Sequence, residues 1–357
     1  MLLRGKRNGF RERRVSGCTA GMDLLVLGGT AWLGREVAAQ AIARGHAVTC
    51  VARGHAGQFT PGCRVVIADR DRPGACDGVV DQRWDAVIDV ARQPGHVRRA
   101  VTALQPVAGR FVYVSSGNVY ASQRELGQDE DAPLLAPLAS DVMESMEQYG
   151  EAKAACEQAV LKGFGSDRAV VARVGLIGGP GDEFGRSGYW PWRFAHPSNP
   201  QGAVLVPDDP QVPIAVIDVR DLAAWLLHCA ETDVAGIYNA AGSPRPLAEH
   251  LDVARTVAGH AGPVRAAPPA WLTEHGVQMW MGPTSLPLWI DDPDWYGMND
   301  RSTARARAAG LTTRPLEDTL TDTLAWEESR PDPGPHGAGL TDDEEHQLLD
   351  TLTERTR

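Results

Sequence analysis

The feature that most constrains this chain is a short apolar run that ends in glycine and passes directly into a helix pattern. Asp23-Leu-Leu-Val-Leu-Gly28 shows no polar alternation, which marks a strand buried on both faces, as in a parallel sheet. Gly28-Gly-Thr-Ala-Trp-Leu-Gly34 follows, and then an apolar periodicity over 33–44 carried by Val37, Ala38 and Ile42. Glycines between a strand and a helix allow a tight turn and a close approach of phosphate to backbone N–H groups. The helix N-terminus adds unpaired donors and the positive end of its dipole. The spacing is Gly28-x-x-Ala31-x-x-Gly34, with Ala in place of the middle glycine. In this strand–turn–helix context it predicts a dinucleotide cradle formed by Gly28, Thr30, Ala31, Trp32, Leu33 and Gly34.

Further strands are expected at 46–52, 64–68, 85–90, 110–115 and 168–174, with helices at 96–104 and 146–161. Strands alternating with helices predict an α/β, doubly wound parallel sheet of the Rossmann type over 22–174. Beyond Val174 the pattern loosens. Residues 175–211 read as a long functional loop rich in Gly, Pro and aromatics. A strand at 212–216, a helix at 218–231 capped by Asp218, and a strand at 236–240 follow, so parts of 212–243 complete the sheet. Residues 244–329 read as a smaller, mostly α lobe, which with 175–211 would bind substrate. Residues 330–340 form a linker, and a last helix covers 342–354.

Composition narrows the function classes. A chain of 357 residues with 43% apolar and 23% charged residues is an ordinary globular protein. No run approaches the ~20 apolar residues of a membrane helix, so a soluble, cytoplasmic protein without a membrane partner is expected. The net charge of −11 argues against nucleic acid as a partner. Residues 1–21 hold six basic residues and one acidic one, a local net of +5, which leaves −16 for the remainder. They read as a disordered basic leader preceding Met22. Cys18, Cys50, Cys63, Cys76, Cys156 and Cys229 form no metal-ligand or redox pattern, so no metal site is expected.

The end of the second strand selects the cofactor. NAD binders usually place a carboxylate there for the ribose 2′-hydroxyl. This chain has Ala52-Arg53-Gly54, and a guanidinium fork suits a 2′-phosphate. NADP is therefore expected over NAD. Asp69, at the end of the third strand, is expected to face the adenine edge.

Tyr149-Gly-Glu-Ala-Lys153 places a phenol and an ammonium one helical turn apart. A phenol ordinarily titrates near 10, and a neighbouring ammonium lowers that value toward neutrality. Ser115-Ser116-Gly-Asn-Val-Tyr120 lies at the carboxyl end of the fifth strand, where open α/β sheets bind ligands. A serine there can hydrogen-bond a substrate oxygen beside the tyrosine.

With these motifs in this order, the chain resembles the extended short-chain dehydrogenase/reductase family, also called the NAD-dependent epimerase/dehydratase family. The resemblance covers about 23–243. It also rests on Asp85-Ala-Val-Ile-Asp-Val-Ala91, Arg173 followed by Gly179-Pro-Gly-Asp182, and Ile217-Asp-Val-Arg-Asp-Leu222. It implies that Tyr149 is the acid/base and that Lys153 tunes it and holds the nicotinamide ribose. It also implies that Ser116 orients the substrate oxygen and that Ala91 contacts the cofactor. Ser115 would then be a strand-end core residue. The implied activity is reversible hydride transfer at a carbonyl or alcohol carbon of a small-molecule substrate.

Two departures bear on the reaction. The family's nucleotide-sugar epimerases carry an Asn after the sixth strand, absent from Arg173-Val-Gly-Leu-Ile-Gly-Gly-Pro-Gly-Asp182. The Arg53 signal also differs from enzymes that hold NAD. Both favour a reductase or dehydrogenase over two alternatives, a nucleotide-sugar epimerase/dehydratase and a non-catalytic NADP-sensing protein. Trp190, Trp192, Trp271, Trp280, Trp289 and Trp295 concentrate outside the cofactor half. Trp190, Trp192, Arg193 and Trp280 are the expected pocket residues, and Arg186 and Arg220 are further candidates for an anionic substrate. A homodimer is compatible with this reading.

Overall fold

In the computed structural model, which describes residues 21–55 and 57–355, the expected leader lies outside the described residues except for Gly21. The chain runs β1 (Asp23–Leu27), α1 (Trp32–Ala43), β2 (Ala47–Ala52), β3 (Arg64–Ile67), β4 (Trp84–Asp89), α2 (Pro94–Leu104), β5 (Ala108–Ser116), α3 (Tyr149–Phe164) and β6 (Ala169–Val174). Next come β7 (Leu176–Gly178), α4 (Tyr189–Ala195), β8 (Val204–Pro207), β9 (Pro213–Ile214), β10 (Val216–Asp218), α5 (Val219–Glu231) and β11 (Gly236–Ala240). Helices α6 (Leu247–Val257), α7 (Pro269–Glu274), α8 (Ala304–Ala308), α9 (Leu316–Ser329) and α10 (Asp342–Arg355) complete it.

Seven strands form a parallel sheet in the order β11-β6-β5-β4-β1-β2-β3. The unbroken apolar run of β1 has a direct cause. Leu24 and Val26 pack under α1 and α5, while Leu25 and Leu27 pack under α2 and α3. All four side chains are fully buried, a contribution of about 1.5–3 kcal/mol each. The strand order reverses at β1, between β2 and β4. This leaves a crevice at the carboxyl ends, onto which the glycine turn opens.

Of 212–243, β11 alone joins this sheet. The expected strand at 212–216 is divided. β9 pairs with residues 245–246, and β10 pairs with β7. Pro213 has no N–H to give to a central ladder, which fits its place in a short peripheral pair. Asp218 caps α5 by accepting from the Arg220 N–H.

A second core holds Trp190, Phe194, Leu205, Trp271, Trp289, Leu316, Leu320 and Leu348. Residues 175–211 are thus not a loop throughout. α4 places Trp190 and Phe194 on one face, four residues apart, and drives both into this core. α8 returns to the seven-stranded sheet, where Ala306 and Leu311 join the core beneath α5. No helix among the described residues is long and apolar enough to cross a membrane.

Candidate active site

The glycine turn is shaped by close packing. A Cβ at Gly34 would stand 2.2 Å from the Gly28 carbonyl oxygen, so the start of α1 can sit on the turn only with glycine there. Ala31 N–H donates to that same oxygen at 3.0 Å. Ala31, at the N-cap, supplies no side-chain cap, and the first turn of α1 carries no acidic residue. The first-turn donors are therefore directed at the crevice without a competing carboxylate, which suits a pyrophosphate. Thr30 is buried within the turn, and Leu33 is buried in the core. Trp32 closes the turn from the side, its indole N–H donating to the Pro180 carbonyl at 2.9 Å.

Arg53 stands just past β2. Its side chain is 55% exposed, and its ion-pair contact is Asp71 at 3.8 Å. Asp69 folds back on its own turn, its Oδ1 accepting from Asp71 N–H at 3.1 Å. Between them, Arg70 turns inward and grips Asp89 with two hydrogen bonds of 2.7 Å. Asp89 also accepts from Ala91 N–H at 2.9 Å, which fixes the turn after β4. The pair shapes the crevice wall, yet Arg70 looks like an ordinary loop arginine in sequence.

The Ala91 turn leads to the lysine. Lys153 Nζ donates to the Ala91 carbonyl at 2.9 Å and to the Val114 carbonyl at 2.7 Å. It lies 4.9 Å from the Tyr113 ring centre and 5.9 Å from that of Tyr149. The ammonium is nearly buried, and neutral carbonyls rather than a carboxylate hold it, so its charge is not cancelled locally.

Tyr149 opens α3, and the helix is seated by Gly150. A Cβ on Gly150 would stand 2.2 Å from the Asn118 carbonyl oxygen, so only glycine lets α3 pack onto the turn after β5. That turn carries Ser116. Its Oγ accepts from Asn118 N–H at 3.2 Å and lies 3.1 Å from Asn118 Oδ1. Ser116, Tyr149, Lys153 and Ala91 are thereby brought to one end of the sheet. Ser115 points the other way and donates to Glu157 at 2.6 Å.

Glu157 lies one turn beyond Lys153 on the same face of α3. It receives Arg173 through both carboxylate oxygens at 2.9 to 3.3 Å. Arg173 also donates to the Tyr120 hydroxyl and to the Glu130 carbonyl. Tyr120 donates to Asn239 on β11 at 2.6 Å. Burial raises the Tyr120 phenol above its ordinary value, against the opposing pull of Arg173. This buried network ties β5, β6, β11 and α3 beneath the serine and tyrosine. The Tyr149, Lys153, Glu157 repeat at intervals of four was the available sequence signal for it.

Residues 24–108 and 99–241 match the NAD dependent epimerase/dehydratase family. The chain belongs to that family. Among solved structures, the epimerase/dehydratase fold seen here is shared by a protein of Burkholderia cenocepacia J2315. The two are 22% identical, with 87% of this chain and 98% of that chain covered and a TM-score of 0.63. UDP-N-acetylglucosamine 4-epimerase from Bacillus cereus is 14% identical, with coverage of 87% and 98% and a TM-score of 0.62. The Bordetella bronchiseptica enzyme WbmG, solved with NAD and UDP, is 17% identical, with coverage of 87% and 96% and a TM-score of 0.60. At these identities the likeness is one of fold. No curated protein matches the chain.

In this member of the epimerase/dehydratase family, the expected pocket residues divide. Trp190 is a correction: it is fully buried, its indole N–H donating to the Pro287 carbonyl at 2.8 Å. Arg193 is another. It is fully buried, 3.2 Å from Glu345 and 2.6 Å from Asp342, and it fastens α10. Both follow from α4, whose inner face they share. Trp192 stacks on His196, ring centres 4.0 Å apart. Arg220 is held by Asp218 and Asp322. Trp280 remains partly exposed, with the Arg186 guanidinium 5.5 Å from its ring. Among the described residues, no group of three or more His, Cys, Asp or Glu is placed to hold a metal ion.

Proposed function

We propose that this family member is an NADP-dependent reductase or dehydrogenase acting on a carbonyl or alcohol carbon, with Ser116, Tyr149 and Lys153 as its catalytic set. The observation that carries this reading is the Lys153 ammonium, held by two carbonyls 5.9 Å from the Tyr149 ring centre. A bound nicotinamide dinucleotide supplies or accepts the hydride. Tyr149 gives its phenolic proton to the substrate oxygen during reduction and takes it back during oxidation. The Lys153 charge stabilises the phenolate oxygen left behind, and its third donor is free for a ribose hydroxyl. Ser116 Oγ hydrogen-bonds the same substrate oxygen and orients it.

The purified protein should consume added NADPH in step with loss of a ketone or aldehyde from a substrate panel. Interconversion of a UDP-sugar with no net change in dinucleotide would instead assign it to the epimerases.

The NADP preference is supported by Arg53, which lies at the end of β2 and, among the described residues, has no nearer acidic partner than Asp71 at 3.8 Å. Arg35 of α1 reaches the same loop, since a Cβ on Gly57 would meet its Nη1 at 2.1 Å. Arg53→Ala should weaken NADPH binding by about 10–100-fold, the range of a charge-assisted hydrogen bond, and leave NADH within about 2-fold. Equal losses for the two cofactors in a paired titration would remove the 2′-phosphate role.

A further inference from the structure

Of the buried arginines, Arg70, Arg173 and Arg193 each hold a carboxylate, and Arg301 donates to the Ser122 carbonyl and to the side-chain oxygens of Gln123 and Gln128. Arg186 is partly exposed and differs from all four. Among the described residues its guanidinium makes no ion pair, and its Nε is buried without a hydrogen-bond acceptor. Burial lowers its affinity for the proton, opposed by the charge of Asp182 and the Tyr149 phenol. The loop that carries Arg186 is tied to the glycine turn, through the Trp32 indole on the Pro180 carbonyl and through Arg35, 3.1 Å from Glu183. A guanidinium in such a place without a contacting carboxylate is costly, and an arriving anion relieves that cost.

The surroundings hold this cation still. Asp182 accepts from the N–H groups of Phe184 and Ser187 and from the Ser187 hydroxyl, which fixes the 182–187 loop. The Phe184 and Trp280 rings lie 5.7 and 5.5 Å from the guanidinium carbon. Trp280 adopts a φ of +69°, a strained conformation for a bulky side chain. Its N–H donates to the Trp289 carbonyl at 2.9 Å, which holds it there. Phe184, Met279 and Met281 leave apolar surface exposed on the same two segments.

We propose that Arg186, backed by Trp280, is the specificity-determining residue, binding a substrate carboxylate close to the carbon that reacts at Tyr149. This rests on the proposed reductase reading and names its substrate class, an oxo acid or hydroxy acid with an apolar body. A planar carboxylate matches the guanidinium fork, and the aromatic rings favour an apolar remainder. A nucleotide of a neutral sugar fits less well, because its charge sits on a diphosphate several bonds from the reacting ring carbons.

The test compares phenylpyruvate with its methyl ester, which differ in the carboxylate charge. Binding is measured by calorimetry on the protein saturated with NADP+, which cannot reduce the keto acid, and turnover with NADPH is measured separately. Phenylpyruvate should bind more tightly than the ester, and Arg186→Gln should raise its Kd by about 10–100-fold while moving the ester by less than about 2-fold. Arg186→Lys keeps the charge without the fork and should raise the acid's Kd by an intermediate factor. That variant decides the matter should the Gln variant fail to fold. Equal binding of acid and ester, no binding of either, or an unchanged acid Kd in the variants overturns the proposal. Arg186-dependent binding of the acid without any turnover upholds the anion site and removes the reductase reading instead.

Discussion

Replacing Tyr149 with Phe should lower kcat by about 10²–10⁴-fold, the usual contribution of a positioned acid/base, while leaving the Kd for NADPH nearly unchanged. The substitution removes one oxygen from a half-buried ring and leaves the rest of its packing in place. Lys153 keeps its carbonyl partners, so the ammonium stays in place. The loss should therefore fall on kcat rather than KM, because the phenolic proton is needed in the transition state. Single-turnover oxidation of bound NADPH, alongside a cofactor titration, separates the two quantities. A variant that turns over at the original rate would remove Tyr149 from the chemistry and favour a binding protein on the same scaffold.

Arg173→Met should have the largest effect on stability, about 3–5 kcal/mol, because it leaves a buried carboxylate without its counter-charge. Glu157 and Arg173 are almost wholly buried, with side-chain exposures of 4% and 1%. Their two-point contact also organises the Ser115 hydroxyl and, through Tyr120, the end of β11. A double variant with Glu157→Leu should recover part of the loss, since it removes the stranded charge as well. Urea unfolding of the single and double variants measures this. Should the single variant lie within about 1 kcal/mol of the original, water or another group must be compensating Glu157.

The contrast between α1 and α4 explains what could be read early. The β1–turn–α1 unit is encoded locally: a continuous apolar run, glycines where the chain must pass close to itself, and helix periodicity directly after. Gly34 is needed because of Gly28, only six residues away. The Tyr149 and Lys153 pair is local too, since helix geometry alone puts them on one face. α4 is not encoded in this way. Its Tyr-Trp-Pro-Trp-Arg-Phe-Ala sequence is short and aromatic, and it resembles a loop until a second core exists for it to bury against.

Charge shows the same division. Arg53, Arg186 and Arg193 look alike in a sequence, each an arginine near an aromatic or glycine-rich stretch. Only the tertiary structure assigned them different environments. Arg193 is 3.2 Å from Glu345, 152 positions along the chain, and is consumed in fastening α10. Arg186 lies within 5.7 Å of two ring centres and, among the described residues, has no acid in contact. Arg53 stays largely in solvent. An arginine's role depends on which carboxylates arrive beside it, and those come from distant segments. The sequence by itself determined the alternation of strands and helices behind the doubly wound sheet, the glycine turn and the Ser116, Tyr149 and Lys153 motifs, because each is written in a local pattern of residues. The tertiary structure decided which aromatic and basic side chains remain open to a ligand, because that depends on long-range packing and on the pairing of buried charge.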